Sequence, residues 1–346
     1  MKLLLNLPQF KMSETKLNPP ILISNNDDGI RCERYIERQY PQVPRGMRHK
    51  FFRTKKIAVF REGKRLKIEK SLTLHKRDEL KIFFQPSEFG KKKDTKKYIN
   101  FDAVLKNPKL KKTKILFEDE HCFIVDKPAG VAVHPGSGIK FGHSLIDYCV
   151  ALMRNKDPDA PEPKLVHRLD KDTSGLVMIA KNDGFLRKII NLLQSGNIQK
   201  IYKTLVKGQL KKDSGTITEK IARREERANG GGSKYTKISI NAEKGKDSIT
   251  HYTVEKYFKH LDASLIEVLL ETGRMHQIRI HFASNHHPLA GDQIYGDFKW
   301  NRELQKEWKL KRQALHAFSL QFIHPETGKK IYVESPIPEE ITSIYR

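Results

Sequence analysis

Hydrophobic and polar positions change their spacing several times along this chain, and each change marks an expected element. Residues 1–29 are polar and close on NNDDG, a tail ending in a turn. Between 30 and 86, helical spacing in RCERYIERQY, a turn with Pro41 and Pro44, and a second helix in GMRHKFFR precede alternation in IAVF, KRLKIEK and ELKIFF. That is a small α+β module. Residues 87–114 hold no sustained period, and the ten lysines between Gly90 and Lys114 mark a solvated linker or a strap that tethers a polyanion.

The larger region, 115–346, opens with a hairpin in ILFEDEHCFIVDK running into a loop at Pro128 and Gly130. Further on come a helix (FLRKIINLLQSG), a strand (IYKTLVKGQL), a loop (ANGGGSKY) and a hairpin of THYTVEKYF with LIEVLLETG. A helix (MHQIRIHFAS) and a strand pair around HPETG follow. Glycines 230–232 read as a mobile loop, because no GxxxxGK[ST] surrounds them. The expected class is α+β in two domains.

One segment breaks the pattern. In LVHRLDKDTSGLVMIAKN, residues 165–182, two apolar runs flank His167, Arg168, Asp170, Lys171 and Asp172. A turn needs no such density of charge.

Composition narrows the partner. Lys and Arg number 66 against 41 Asp and Glu, a formal charge of +25, which fits a nucleic acid as ligand because phosphates reward dispersed cations through counterion release. Mean hydropathy is −0.62, and no window approaches the roughly 20 apolar residues of a membrane span, so no membrane association is expected. MKLLLNLPQF lacks a small-residue cleavage site and makes a poor signal peptide. The separated Cys32, Cys122 and Cys149 favour a reducing, cytoplasmic setting over a disulfide framework. Fourteen histidines form no HExxH and pair with no CxxC, so no metal site is expected.

Five stretches then occur in a telling order: ILFEDEHCFIVDKPAGVAVHPGSG, HRLDKDTSGLVMIAK, KIYKTLVKG, ETGRMHQIRIHFASNHHPLAGDQIYGD and LHAFSLQFIHPETG. With them the chain resembles, over about residues 30–345, the RluA-type pseudouridine synthases, most closely the RluC-like enzymes of large-subunit ribosomal RNA. The resemblance implies a mixed, mainly antiparallel sheet with flanking helices, preceded by an S4-like RNA-binding module. In that module Lys55 takes the usual glycine position and Glu33 stands where Asp is common. The implied reaction breaks the C1′–N1 bond of a uridine and rejoins C5 to C1′. It is an isomerisation that needs no cofactor.

The resemblance also assigns residues. Asp170 matches the catalytic aspartate, and such chemistry needs a shielded carboxylate. Arg168 matches the arginine that fills the gap left by the flipped uridine, and in extended backbone it shares a face with Asp170. Tyr202 matches the tyrosine beneath the target base. Arg279 matches the arginine paired with the aspartate, where a cation favours the ionised carboxylate and fixes its rotamer. Asp172, at a variable position, reads as solvated. Arg45, Arg48, Lys50, Arg53, His167 and Arg274 are candidate RNA contacts. A monomer acting on large-subunit ribosomal RNA or its precursor particle is expected. The alternatives are a non-catalytic RNA-binding or ribosome-assembly factor, and the same chemistry on transfer RNA.

Overall fold

The structure, a computed structural model, describes residues 18–24, 27–68, 72–84, 100–136, 139–158, 160–227, 234–241 and 243–345. It divides into two compact units, Met1–Tyr98 and Ile99–Arg346.

In the first unit β1 (Ile21–Leu22), α1 (Cys32–Gln39), α2 (Arg45–Arg53), β2 (Ile57–Arg61), β3 (Lys64–Arg65) and β4 (Glu79–Ile82) follow one another. The sheet order is β1-β4-β2-β3. Cys32, Tyr35 and Ile36 recur at helical spacing and put one face of α1 into a core with Val59, Leu80 and Phe84. Two expectations need correction. The N-terminal tail does not run to residue 29, because the apolar triplet Ile21–Leu22–Ile23 adds an edge strand to β4 and buries Ile23. The strand expected in KRLKIEK shrinks to β3, which turns back on β2 through Glu62 and Gly63, both at positive φ. Lys55 adopts φ 56° after α2, a left-handed conformation that costs a non-glycine residue about 1 kcal/mol.

The second unit begins earlier than expected. The part of the Lys-rich segment described here, from Asn100, is not a linker. It forms α3 (Phe101–Leu105), capped by the Asn100 side chain accepting from the Ala103 amide at 3.0 Å, and a 3-10 turn at Leu110–Lys112. Lysine density hid the apolar spacing of Phe101, Val104 and Leu105, and Val104 and Leu110 join the main core. Residues 87–99 lie outside the described residues.

Beyond these come β5 (Lys114–Glu118), β6 (Cys122–Lys127), α4 (Leu145–Lys156), β7 (Lys164–Leu165), β8 (Ser174–Ala180), α5 (Asp183–Gln194), β9 (Ile198–Lys207), β10 (Ser214–Arg227), β11 (Lys234–Ile240) and β12 (Lys246–Phe258). The chain closes with β13 (Ala263–Leu270), α6 (Gln277–Ser284), α7 (Phe298–Trp308), β14 (Leu315–Ile323), β15 (Lys330–Glu334) and α8 (Glu339–Thr342). The strands form one mixed sheet, β11-β10-β12-β13-β9-β14-β8-β6-β5, with β15 on β14 and β7 on β8. Among the described strands the only parallel ladder is β14 with β8, where His316 faces Ser174 and Ala317 faces Gly175. Helices flank this mainly antiparallel sheet, as expected. The β10–β11 ladder was not foreseen, since EKIARREER offers charge instead of apolar alternation. Glycines 230–232 lie outside the described residues.

Candidate active site

The charged interruption at 167–172 lies directly before β8, and several buried groups hold it there. Lys127, fully buried at the end of β6, donates from Nζ to the carbonyls of Pro128 (3.0 Å), Val131 (2.9 Å) and Lys171 (3.1 Å). Burial, reinforced by the charge of Arg312, lowers its pKa to about 7. Arg312 donates to the carbonyl of Asp172 at 3.1 Å and to Ser174 Oγ at 3.2 Å. Ser174 Oγ also meets His316 Nδ1 at 2.9 Å. Gly175 has φ 106°, and a Cβ there would stand 2.2 Å from the carbonyl oxygen of Ala317. Only glycine lets β8 and β14 approach closely enough to pair. The segment is fixed from both sides, and Leu169 anchors it in the core.

Asp170 emerges on a cleft of about 420 Å³ that is also lined by Arg168, Tyr202, Arg274, His276 and Arg279. Arg279 Nη1 donates to Asp170 Oδ2 at 2.9 Å. Its stronger tie is to Asp292, fully buried, with Nε to Oδ2 at 2.6 Å and Nη2 to Oδ1 at 2.8 Å. Asp292 Oδ1 also accepts the amides of Ile294 (2.8 Å) and Tyr295 (3.0 Å). Burial disfavours both charges. The bidentate pairing overcomes that cost and moves the guanidinium pKa up and the Asp292 carboxyl pKa down. Arg279 is therefore a fixed cation whose Nε and Nη2 are committed to Asp292, leaving Nη1 to donate to Asp170.

A further neighbour is His276, at the start of α6 with φ 55°. Its Nε2 lies 3.7 Å from Asp170 Oδ2 and its Nδ1 2.9 Å from the Tyr295 hydroxyl. With that hydroxyl as donor to Nδ1, the neutral ring carries its proton on Nε2, the nitrogen nearer the carboxylate. Burial lowers the pKa of His276, although the Asp170 charge acts the other way. Gln277 holds the turn that sets this geometry: Oε1 accepts from Thr272 Oγ1 and the Arg274 amide, both at 2.9 Å, and Nε2 donates to the Ile249 carbonyl at 3.0 Å.

Tyr202 comes from β9 and is 6% exposed; burial first, and the charge of Asp170 second, keep its hydroxyl protonated well above the usual range. The cleft thus offers a carboxylate with an assigned cation, an aromatic face and a neutral imidazole. Such a set can hold a planar base and act on carbon or on a proton beside it.

The structure brings Asp170, Arg168, Tyr202, Arg279, His167 and Arg274 to one cleft, while Asp172 lies outside its lining. His167 is corrected as an RNA cation. Its Nε2 accepts the Met178 amide at 3.1 Å, and burial, with the nearby charge of Lys200, lowers its pKa to about 3, so the ring is neutral. Arg48 is corrected too: it is 7% exposed and committed to Glu37 at 2.6 Å and the Val43 carbonyl at 3.0 Å within the first unit. Lys50 and Arg53 are exposed on α2, and the Arg45 side chain lies outside the described residues. Asp292, Tyr295, His276, Lys127 and Arg312 were not singled out from sequence. All but Arg312 lie inside the quoted stretches, where DKPAG, RMHQIR and GDQIYGD carried the signal.

Ligand-type atoms of Asp119, Cys122 and His324 also gather within 4.8 Å of one another. His324 Nδ1 accepts the amides of Glu326 (3.3 Å) and Thr327 (3.2 Å), which leaves the proton on Nε2, 3.0 Å from Asp119 Oδ2. A protonated nitrogen is no metal ligand, and the pair is a close approach of two turns without a hydrogen bond.

A family model described as RNA pseudouridylate synthase matches residues 121–284. The chain is 32% identical to the ribosomal large subunit pseudouridine synthase C of Haemophilus influenzae over 339 residues, covering 96% of this chain and 97% of that protein. It is 38% identical to the ribosomal large subunit pseudouridine synthase D of Nitrosomonas europaea over 235 residues, 67% of this chain and 64% of that one. Among solved structures, human RNA pseudouridylate synthase domain containing 4 superposes with a TM-score of 0.52 at 21% identity, over 70% of this chain and 92% of that chain.

Proposed function

The chain belongs to the RNA pseudouridylate synthase family, and from that premise and the geometry of the cleft we propose that it isomerises chosen uridines of large-subunit ribosomal RNA, with Asp170 as the catalytic carboxylate. It is an isomerase of the RluA type. The observation that carries the assignment is the placement of Asp170: 17% exposed at the side chain, held at 2.9 Å by Arg279 and sharing its cleft with Tyr202.

Each step then falls to a named group. Arg168, exposed on the cleft, enters the duplex in place of the flipped uridine. The ring of Tyr202 lies under the base. Asp170 acts on the sugar, by attack at C1′ or by removal of a sugar proton, while Arg279 holds its rotamer and Asp292 holds Arg279. Ribosomal RNA as the substrate is supported by the relatives named above and by the +25 charge. We assign the first unit, S4-like in its sequence, to RNA binding through the exposed Lys50 and Arg53.

Tritium release from RNA labelled at uridine C5 tests this directly. The protein alone, with EDTA present and no nucleotide, is expected to release tritium from large-subunit RNA. Asp170→Asn should abolish release and keep RNA binding, because an amide can neither attack carbon nor take a proton at neutral pH. Asp172→Asn should stay near wild type. If Asp170→Asn kept more than about a hundredth of the rate, the carboxylate would be wrongly chosen, since acid or base groups contribute about 10² or more.

A further inference from the structure

β9 carries two buried lysines three residues apart, on opposite faces of the strand. Each is 8% exposed. Lys203 ion-pairs with Glu255 and, at 2.7 Å, with Glu267. Lys200 faces the other way, into the cleft, on the same side as Tyr202. Among the described residues no carboxylate, carbonyl or hydroxyl meets its ammonium, and burial alone lowers its pKa. Close to it are the neutral His167 and the exposed Gly273, and Leu193 and Gln194 at the end of α5 line the same cleft.

Every other buried cation at this site has an answer within the chain. Arg279 has Asp292 and Asp170, Lys127 has three carbonyls, and Arg312 has Glu340. The stem of Lys200 is buried while its ammonium opens on the cleft, and the carboxylate of the cleft, Asp170, is already claimed by Arg279. A cation that opens on the cleft with no answering group among the described residues is suited to an anion from outside.

Strand residues two apart project side by side at about 6.6 Å. A base lying on Tyr202 therefore has Lys200 at the reach of its own sugar-phosphate. We propose that Lys200 is a phosphate hook, an ammonium that binds a backbone phosphate adjoining the target uridine and so sets the depth at which the flipped nucleotide seats. This proposal rests on the RNA reading above.

The full chain is assayed by filter binding and tritium release on short RNAs that carry a single methylphosphonate at each phosphate around the target in turn, a change that removes one charge at one place. Lys200→Met should weaken binding of unmodified RNA about tenfold and lower the slope of log Kd against log salt by about one. One methylphosphonate should cost the wild type the same factor and cost Lys200→Met nothing further. Lys200→Arg should keep most of the affinity. Free Lys200→Met should melt no lower than wild type, because Lys200 makes no hydrogen bond or ion pair among the described residues for the substitution to break. The hook is overturned if Lys200→Met keeps its Kd and salt slope, or if it loses as much as the wild type at every methylphosphonate. A lower melting temperature with unchanged binding would make Lys200 structural. Wild-type tritium release, run in parallel, separates the outcomes: no release sinks the RNA-isomerase reading itself, whereas normal release with an indifferent Lys200→Met sinks the hook alone.

Discussion

At the scale of single residues, the cleft works by dividing labour between two carboxylates. Asp292 is fully buried, takes the guanidinium fork of Arg279 and gives it a single orientation. Asp170, the proposed catalytic carboxylate, accepts from Nη1 of the same guanidinium. Asp292→Asn should therefore be worse than its distance from the substrate implies. Removing one partner of a buried ion pair costs about 3–5 kcal/mol, and the released Arg279 would turn both side-chain ends toward Asp170. Urea denaturation should show the loss of stability, and tritium release should show kcat falling while RNA affinity holds. A variant with wild-type kcat would mean that Asp170 needs no oriented cation.

At the scale of elements, the active loop depends on the close approach of β8 and β14. Gly175→Ala would push a Cβ to 2.2 Å from the Ala317 carbonyl in a backbone region that L side chains avoid, so we expect destabilisation of at least about 3 kcal/mol. A shift in urea midpoint measures it, and a variant as stable as wild type would contradict the register described here. The legibility of the sequence follows the same division. Segments with a clear repeat, such as MHQIRIHFAS around α6, announced their elements from spacing alone, and the unbroken apolar run LVMIA marked the buried β8. Charged β10 and short α3 did not, because the apolar signal is sparse in the first and in the second spans only five residues beside a run of lysines. Asp170, Arg168, Tyr202 and Arg279 were legible only through a family pattern. The inward turn of His167 and the commitment of Arg48 depend on neighbours distant in the chain or on local packing, which periodicity does not encode.

At the scale of the whole molecule, buried neutral histidines set the acid limit. His167 has a folded pKa near 3 and His281 near 4, both lowered by burial, against about 6.5 when unfolded. The unfolded chain therefore binds more protons below pH 6.5, and stability is present above that pH and lost as pH falls toward 4. Each histidine contributes up to about 1.4 kcal/mol per pH unit. Melting temperatures from pH 7 to 4.5 should fall steeply, and less so in His167→Gln, where an indistinguishable slope would remove His167 from the account. Residues 99–346 contain the whole cleft and a core of their own. Cut free, they should still release tritium at high enzyme concentration while binding RNA more weakly and with a smaller salt slope; a folded but inert fragment would place catalysis partly in the first unit. The parallel junction also has a consequence in time. Ser174 meets His316 across 142 residues of sequence. At about 5–20 residues per second, a ribosome needs roughly seven to thirty seconds between making the aspartate loop and making the strand that locks it. During that interval the nascent chain can carry its basic first unit and an unset Asp170 together, so an RNA captured early would be held by an enzyme that cannot yet turn over.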